Sequence, residues 1–242
     1  MASYTTKDIR NIALTGAPSA GKTTLVEGML HTAGVIGHIG TVEQGNTVCD
    51  FDDLEKEYMH GTDSAVVHFD HAGAHVNVID TPGSPGFYGK AVAAIPAVEM
   101  QIIMIDAGAG IDTMTRKLVT LGRERNLPQA IIINKIDHGD DLSGLLEHVQ
   151  NSFGSVCRPV NLPAKEGTAV IDCFKNASGE CDLGDVADFH TGIVDQVVEV
   201  DDALMETYLE QGEVSPEQLH GPFEAALRQG HLVPVMFMSA KS

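Results

Sequence analysis

"NIALTGAPSAGKTTLVEGML" (residues 11–30) is the stretch whose reading decides the fold. Its first six residues are largely apolar and read as a short strand that runs into Gly16, and the residues from Lys22 onward, free of proline, read as a helix. Between them "GAPSAGKT" (residues 16–23) matches the phosphate-loop pattern GxxxxGK[ST] in the strand-to-helix setting that gives the pattern physical meaning. A glycine-punctuated loop at a helix start aims backbone N–H groups and the helix N-terminus at one point, where an anion is held. Gly16 and Gly21 permit the curl, and Ala17, Pro18, Ser19 and Ala20 form its bed. Lys22 brings a point charge to the outer phosphates of a nucleotide, the Thr23 hydroxyl suits magnesium, and Thr24 follows as a further phosphate contact.

Working outward, β-rich runs recur with helical stretches between them: "SAVVHF" (64–69), "HVNVID" (75–80), "MQIIMID" (100–106), "AIIIN" (130–134) and "LVPVMFMS" (232–239). Near-continuous apolar runs such as "IIMI" and "AIII" suit strands covered on both faces, which predicts an α/β fold with a mostly parallel central sheet and helices on both sides. "SAVVHF" and "HVNVID" lie too close together for a crossover helix, so they are expected as one antiparallel hairpin at the sheet edge. The histidines around its turn, His68, His71 and His75, read as a solvated hairpin rather than a metal site. In "DTMTRKLVTLGRERN" (112–126), Met114, Leu118 and Leu121 form one apolar helical stripe.

From about Pro159 the pattern changes. "NLPAKEGTAVIDCFKNASGECDLGD" (161–185) is short-stranded and turn-rich, and two acidic amphipathic helices are expected after it, over 194–211 and 215–229. The second has Ser215 as N-cap, Pro216 at the first helical position, Gln218 at the capping-box position and Gly230 at its close. Because a strand of the first kind returns at residue 232, the division expected is a phosphate-loop domain over 1–158 and 232–242 with an inserted α+β subdomain over 159–231.

Three further motifs follow the phosphate loop in chain order. "DTPG" (80–83) ends a strand: Asp80 suits a water-mediated magnesium contact, and the Gly83 N–H can approach a γ-phosphate. "NKID" (134–137) ends another strand, where Asp137 can accept from guanine N1–H and its exocyclic amine while adenine offers no such donor pair. A site built on such bonds rejects the wrong base by factors on the order of 10⁴. Asn134 would tie this segment to the phosphate loop, and the stem of Lys135 can cover one face of the base. "SAK" (Ser239, Ala240, Lys241) ends the last strand, where backbone N–H groups can meet guanine O6.

Composition narrows the partners. The 242 residues, 43% hydrophobic, can bury a sizeable core, and 34 acidic against 15 basic residues give a formal net charge of −19 with no basic cluster, which disfavours DNA and anionic membranes. No apolar run approaches the roughly 18 residues of a membrane span, and the start "MASYTTKDIR" is no signal peptide, so the expected location is cytoplasmic. Cys49, Cys157, Cys173 and Cys181 show no CxxC or zinc spacing and read as scattered reduced thiols.

Taken together, "GAPSAGKT", "DTPG", "NKID" and "SAK" resemble the nucleotide-binding set of the translational GTPases. The insertion, with "PVNLPAKEG", "VVEVDDALMETYLEQGEVS" and "LRQGHLVPVMFMSA", is similar to that of elongation factor G and its divergent, elongation factor G-like relatives. The resemblance implies a monomeric, cytoplasmic domain that binds GTP and GDP with Mg²⁺ and hydrolyses GTP, with Lys22, Thr23, Gly83 and the residue after it near the chemistry. It also implies the ribosome as partner of the full-length protein, a ribosomal stalk protein as partner of the acidic inserted helices, and further C-terminal domains beyond this segment. Three departures stand out. The family histidine after DTPG is Ser84 here, "DTPGSPGF" in place of "DTPGHVDF"; Ser19 stands where the family's "GHVDHGK" has aspartate; and "EKEYMHGTDSA" (55–65) replaces a switch that reads close to "RGITI". Thr62 is the candidate for the switch threonine that binds magnesium, although a gap-free count back from Asp80 puts Gly61 there. A serine hydroxyl does not titrate near neutrality, so slow turnover in isolation is expected. A nucleotide-gated binding module with little hydrolysis is the alternative, and an adenine-nucleotide enzyme would require Asp137 to be structural.

Overall fold

The computed structural model describes residues 4–212 and 214–240, so Lys241 of "SAK" lies outside the described residues. The chain forms two compact units, one running to Asp106 and taking in Ile111–Glu124, the other made of Ala107–Gly110 and Arg125–Ala240.

The first unit contains β1 (Ile9–Gly16), α1 (Lys22–Thr32), α2 (Asp53–Tyr58), β2 (Ala65–His71), β3 (Ala74–Asp80), α3 (Tyr88–Ala94), β4 (Met100–Asp106) and α4 (Thr113–Glu124), with strand order β2-β3-β1-β4. β1 runs parallel to both β3 and β4, and β2 pairs antiparallel with β3. The hairpin closes from His71 to Ala74 through Ala72 and Gly73 at φ 47° and 82°, the left-handed pair that matches strand twist. Register then sets the site: Leu14 pairs with Asp80, so the end of β3 lies level with the entry to the phosphate loop. The Thr81 side chain fastens that level by donating to the Leu14 carbonyl at 2.6 Å. On α4, Leu118 is buried, as the apolar stripe predicts.

The second unit contains β5 (Gln129–Asn134), α5 (Leu142–Phe153), β6 (Cys157–Pro159), β7 (Asn161–Ala164), β8 (Ala169–Asp172), β9 (Glu180–Cys181), β10 (Gly184–Asp185), α6 (Val186–Val198), α7 (Asp202–Gln211), α8 (Pro216–Gln229) and β11 (Val233–Met238). Here β5, β11 and β6 are neighbours and parallel. Every residue of β5 is buried, as a strand covered on both faces must be. The α/β expectation, mostly parallel with one antiparallel edge strand, is therefore met.

The turn-rich block resolves into two small antiparallel pairs, β7 with β8 and β9 with β10. The single helix expected over 194–211 is instead two helices. α6 already starts at Val186 and stops at Val198, and the Asp201 carboxylate accepts from Leu204 N–H at 3.0 Å, which begins α7 anew. α8 has the capping box of Ser215 and Gln218, Pro216 in its first turn and left-handed Gly230 at its end, as read from sequence. These elements bury a cluster of their own, including Leu162, Val186, Ile193, Val197, Leu219 and Ala226. The compact units thus divide the chain at Asp106 and Glu124, while the segment expected as an insertion has its own apolar centre. Among the described residues no helix is long and apolar enough to cross a membrane.

Candidate functional site

Gly16 ends β1 with φ 144°, and a Cβ there would stand 2.3 Å from the Met104 carbonyl oxygen of β4, so only glycine fits. The loop then bends through Ser19 at φ 59° and Gly21 at φ 95°, and α1 begins at Lys22. The Lys22 ammonium is buried and donates to the carbonyls of Gly16 and Ala17 at 3.1 and 2.8 Å. Burial lowers its pKa, and the charges of Asp80 and Asp112 act against that. The DTPG turn closes over the same loop: a Cβ on Gly83 would lie 2.6 Å from both Lys22 Nζ and Pro18 N.

Asp80 is the electrostatic centre of this unit. Its Oδ2 accepts from the Thr23 hydroxyl at 2.6 Å, while its buried Oδ1 has no hydrogen-bond partner. Burial pushes its carboxyl up to about 6, although Lys22, Thr23 and the Cys49 thiol each favour the ionised form. The Cys49 thiol in turn is driven far above its ordinary value, first by burial and then by the charges of Asp80, Asp50 and Glu27. A thiol held in that way is inert as a nucleophile. A buried carboxylate oxygen without a donor, next to a threonine hydroxyl, has the donor chemistry of a magnesium site, so the residues present fit the ion.

The segment after α1 is organised by acids that the sequence reading passed over. Glu27, buried on α1, accepts from Gly40 N–H at 2.7 Å and Val48 N–H at 2.6 Å. Asp50, also buried, takes the Thr47 hydroxyl at 2.7 Å. Glu55 of α2, 1% exposed, accepts from the N–H groups of Thr62, Asp63 and Asp52. The one available signal was positional: Glu27 lies between Val26 and Leu30 on the apolar face of α1. Thr62 itself is committed to Glu55, its hydroxyl donating to Oε1 at 3.4 Å. Gly61, the position reached by the gap-free count, comes within reach of DTPG, since a Cβ on it would stand 3.9 Å from Pro82 Cα, as well as 3.8 Å from the Asp63 carbonyl oxygen. Ser84 precedes a short 3₁₀ turn, Pro85–Phe87, that its side chain does not cap.

In the second unit Asn134 ends β5, and Lys135 turns the chain with φ 63°. That bend buries Ile136 and leaves the Asp137 side chain 31% exposed, 3.2 Å from His138 Nε2. Parallel pairing sets Met238 opposite Asn134, and the Ala240 N–H donates to Asn134 Oδ1 at 3.0 Å. The structure therefore joins "NKID" to "SA" through Asn134, and gives to that side chain an N–H that was expected to meet the base.

The family model described as Elongation factor Tu GTP binding domain matches residues 7–242. An Elongation factor G-like protein of Mycobacterium tuberculosis is 30% identical over 94% of this chain and 34% of its own length. Peptide chain release factor 3 of Streptococcus pyogenes is 33% identical over 97% of this chain and 47% of its own. The mitochondrial Ribosome-releasing factor 2 of Culex quinquefasciatus is 31% identical over 97% and 34%. A crystal structure from Thermus thermophilus superposes with a TM-score of 0.86 at 30% identity, covering 96% of this chain and 38% of that one. The chain thus spans between a third and a half of the length of these relatives.

Proposed function

Because the chain belongs to the Elongation factor Tu GTP binding domain family of translational GTPases, we propose that it is the GTP-binding and GTP-hydrolysing domain of an elongation factor G-like, ribosome-associated and cytoplasmic translation factor. The observation that carries the reading is Asp80, whose buried carboxylate has one oxygen on Thr23 and the other without a donor. Thr23 and Asp80 would hold magnesium, which when bound supplies positive charge to the β- and γ-phosphates. Glu55 holds the Thr62 hydroxyl, so Thr62 would join that set only after letting go of Glu55.

Lys22 and the N–H groups of the loop bind the phosphates, and the Gly83 N–H stands by the γ-phosphate. Asp137 reads guanine, Asn134 of the same motif is held by the Ala240 N–H, and Lys135 covers one face of the base. Hydrolysis is in-line attack of water, in which this chain contributes positioning and charge. Ser84 can orient a water but cannot accept its proton near neutrality, so turnover in isolation is slow. A nucleotide-gated binding module is the second reading, favoured by that serine.

The test is Asp137→Asn. An amide in place of the carboxylate removes one acceptor and adds a donor, so GDP affinity should fall and xanthosine diphosphate affinity should rise, because xanthine carries a carbonyl where guanine has its amine. Titrations that give the variant unaltered selectivity would sink the base assignment.

A further inference from the structure

The turn that joins β7 to β8 carries strain with no use of its own. Lys165, Glu166 and Gly167 follow one another in the left-handed region, at φ 53°, 57° and 75°, and the first two are residues that pay for that conformation. What the strained turn reaches is the peptide before Asp137. A Cβ on Gly167 would lie 2.4 Å from the Ile136 carbonyl oxygen and 3.5 Å from the Asp137 nitrogen. The turn is itself held in place. Gly167 N–H donates to Asp182 Oδ2 at 2.9 Å, Asp182 N–H donates to the Pro163 carbonyl at 2.8 Å, and the Thr168 hydroxyl donates to the Lys165 carbonyl at 2.7 Å.

We infer that Gly167 and Asp182 are positioning residues for base recognition: through the turn they set the direction in which the Asp137 carboxylate points. The inference rests on the base-reading role of Asp137. A carboxylate that takes two donors from one edge of a base needs its plane aligned with that edge, since hydrogen bonds weaken steeply as their angle closes. The Lys135 bend fixes the Ile136–Asp137 peptide from one side, and Gly167 bounds it from the other. A side chain at 167 would push on backbone atoms, which cannot give way as a flexible side chain can. Loss of the Asp182 acceptor would free the turn that makes the contact.

The experiment compares GDP with inosine diphosphate, which lacks the exocyclic amine and so already misses one of the two bonds. For Gly167→Ala and Asp182→Ala, GDP affinity is expected to fall on the order of tenfold. Inosine diphosphate affinity falls less, so the ratio between the two narrows. Asp182→Asn keeps an acceptor for the Gly167 N–H and should restore both values. If Gly167→Ala does not fold, the Asp182 pair decides alone. A GDP to inosine diphosphate ratio in Asp182→Ala equal to that of the parent overturns the inference, including when both affinities fall together, because that is loss of stability and not of alignment. Asp137→Asn is titrated alongside with xanthosine diphosphate. A gain there with an unaltered Asp182→Ala ratio removes the positioning role and leaves the base reading standing, whereas no gain removes the base reading and this inference with it.

Discussion

Asp80 is the residue at which charge and burial oppose each other most directly. Its carboxyl is pushed up to about 6 in the folded protein, above the ordinary value of 3.8, so the fold binds its proton more tightly than the unfolded chain does. The sign follows: the stability tied to that proton is fully present below about pH 3.8 and is lost as pH rises through about 6. The swing is about 3 kcal/mol at most. In chelator, without nucleotide, urea titrations between pH 4.5 and 7 should show wild-type stability falling relative to that of Asp80→Asn as pH rises. Parallel curves for the two proteins would remove the burial argument. The place of this residue at a strand end level with the phosphate loop was legible in sequence, because "DTPG" closes an apolar strand after that loop. Its neighbours Cys49 and Asp50, and the Glu27 charge that acts on Cys49, were not, since their meeting depends on a path of loop that no local pattern encodes.

At the scale of elements the same contrast recurs. The six strands read from apolar runs were legible within a residue or two, because a buried strand such as β5 must be apolar along its whole length, whereas the three-residue β6 beside β11 is too short to show such a run. The boundary of α6 and α7 was not legible, since "VVEVDDALM" keeps helical spacing across a break that only the Asp201 cap reveals. Over residues 40–63 the segment ahead of the hairpin is held by buried Glu27, Asp50 and Glu55. Glu27 anchors this segment to α1, and its removal leaves the N–H groups of Gly40 and Val48 without that acceptor, which costs about 1–3 kcal/mol at buried Gly40 and less at Val48, a residue 46% exposed. Glu27→Leu should therefore accelerate amide exchange at Gly40 on the order of a hundredfold and at Val48 by less, while Glu27→Gln, which retains an acceptor, changes it far less. Equal protection in Glu27→Leu and wild type would show that the loop is held by its own turns.

Over the whole molecule, a net charge of −19 would repel a nucleotide's phosphates, and only local geometry reverses that. Within the phosphate loop Lys22 is the sole basic side chain, so on the proposed reading backbone N–H groups would carry the rest of the attraction. Such binding depends on the shape of loops more than on the number of charges. It should therefore tolerate loss of stability in a distant core and yet fail when a loop is displaced by an ångström. The cluster around Leu162, Ile193 and Leu219 offers the comparison, because Leu219 lies on α8, which packs there on α6, while the turn at Gly167 joins β7 to β8. Leu219 is fully buried, and Leu219→Ala should cost about 2–5 kcal/mol by the cavity it leaves. Under conditions where the variant is still folded, GDP affinity and the GDP to inosine diphosphate ratio should match the parent's. Thermal denaturation and nucleotide titration of the same sample measure the two quantities independently. A narrowed ratio in Leu219→Ala would mean that the inserted helices bear on the base-reading loop through their packing as a whole, and the special place given to the turn of Lys165, Glu166 and Gly167 would be lost.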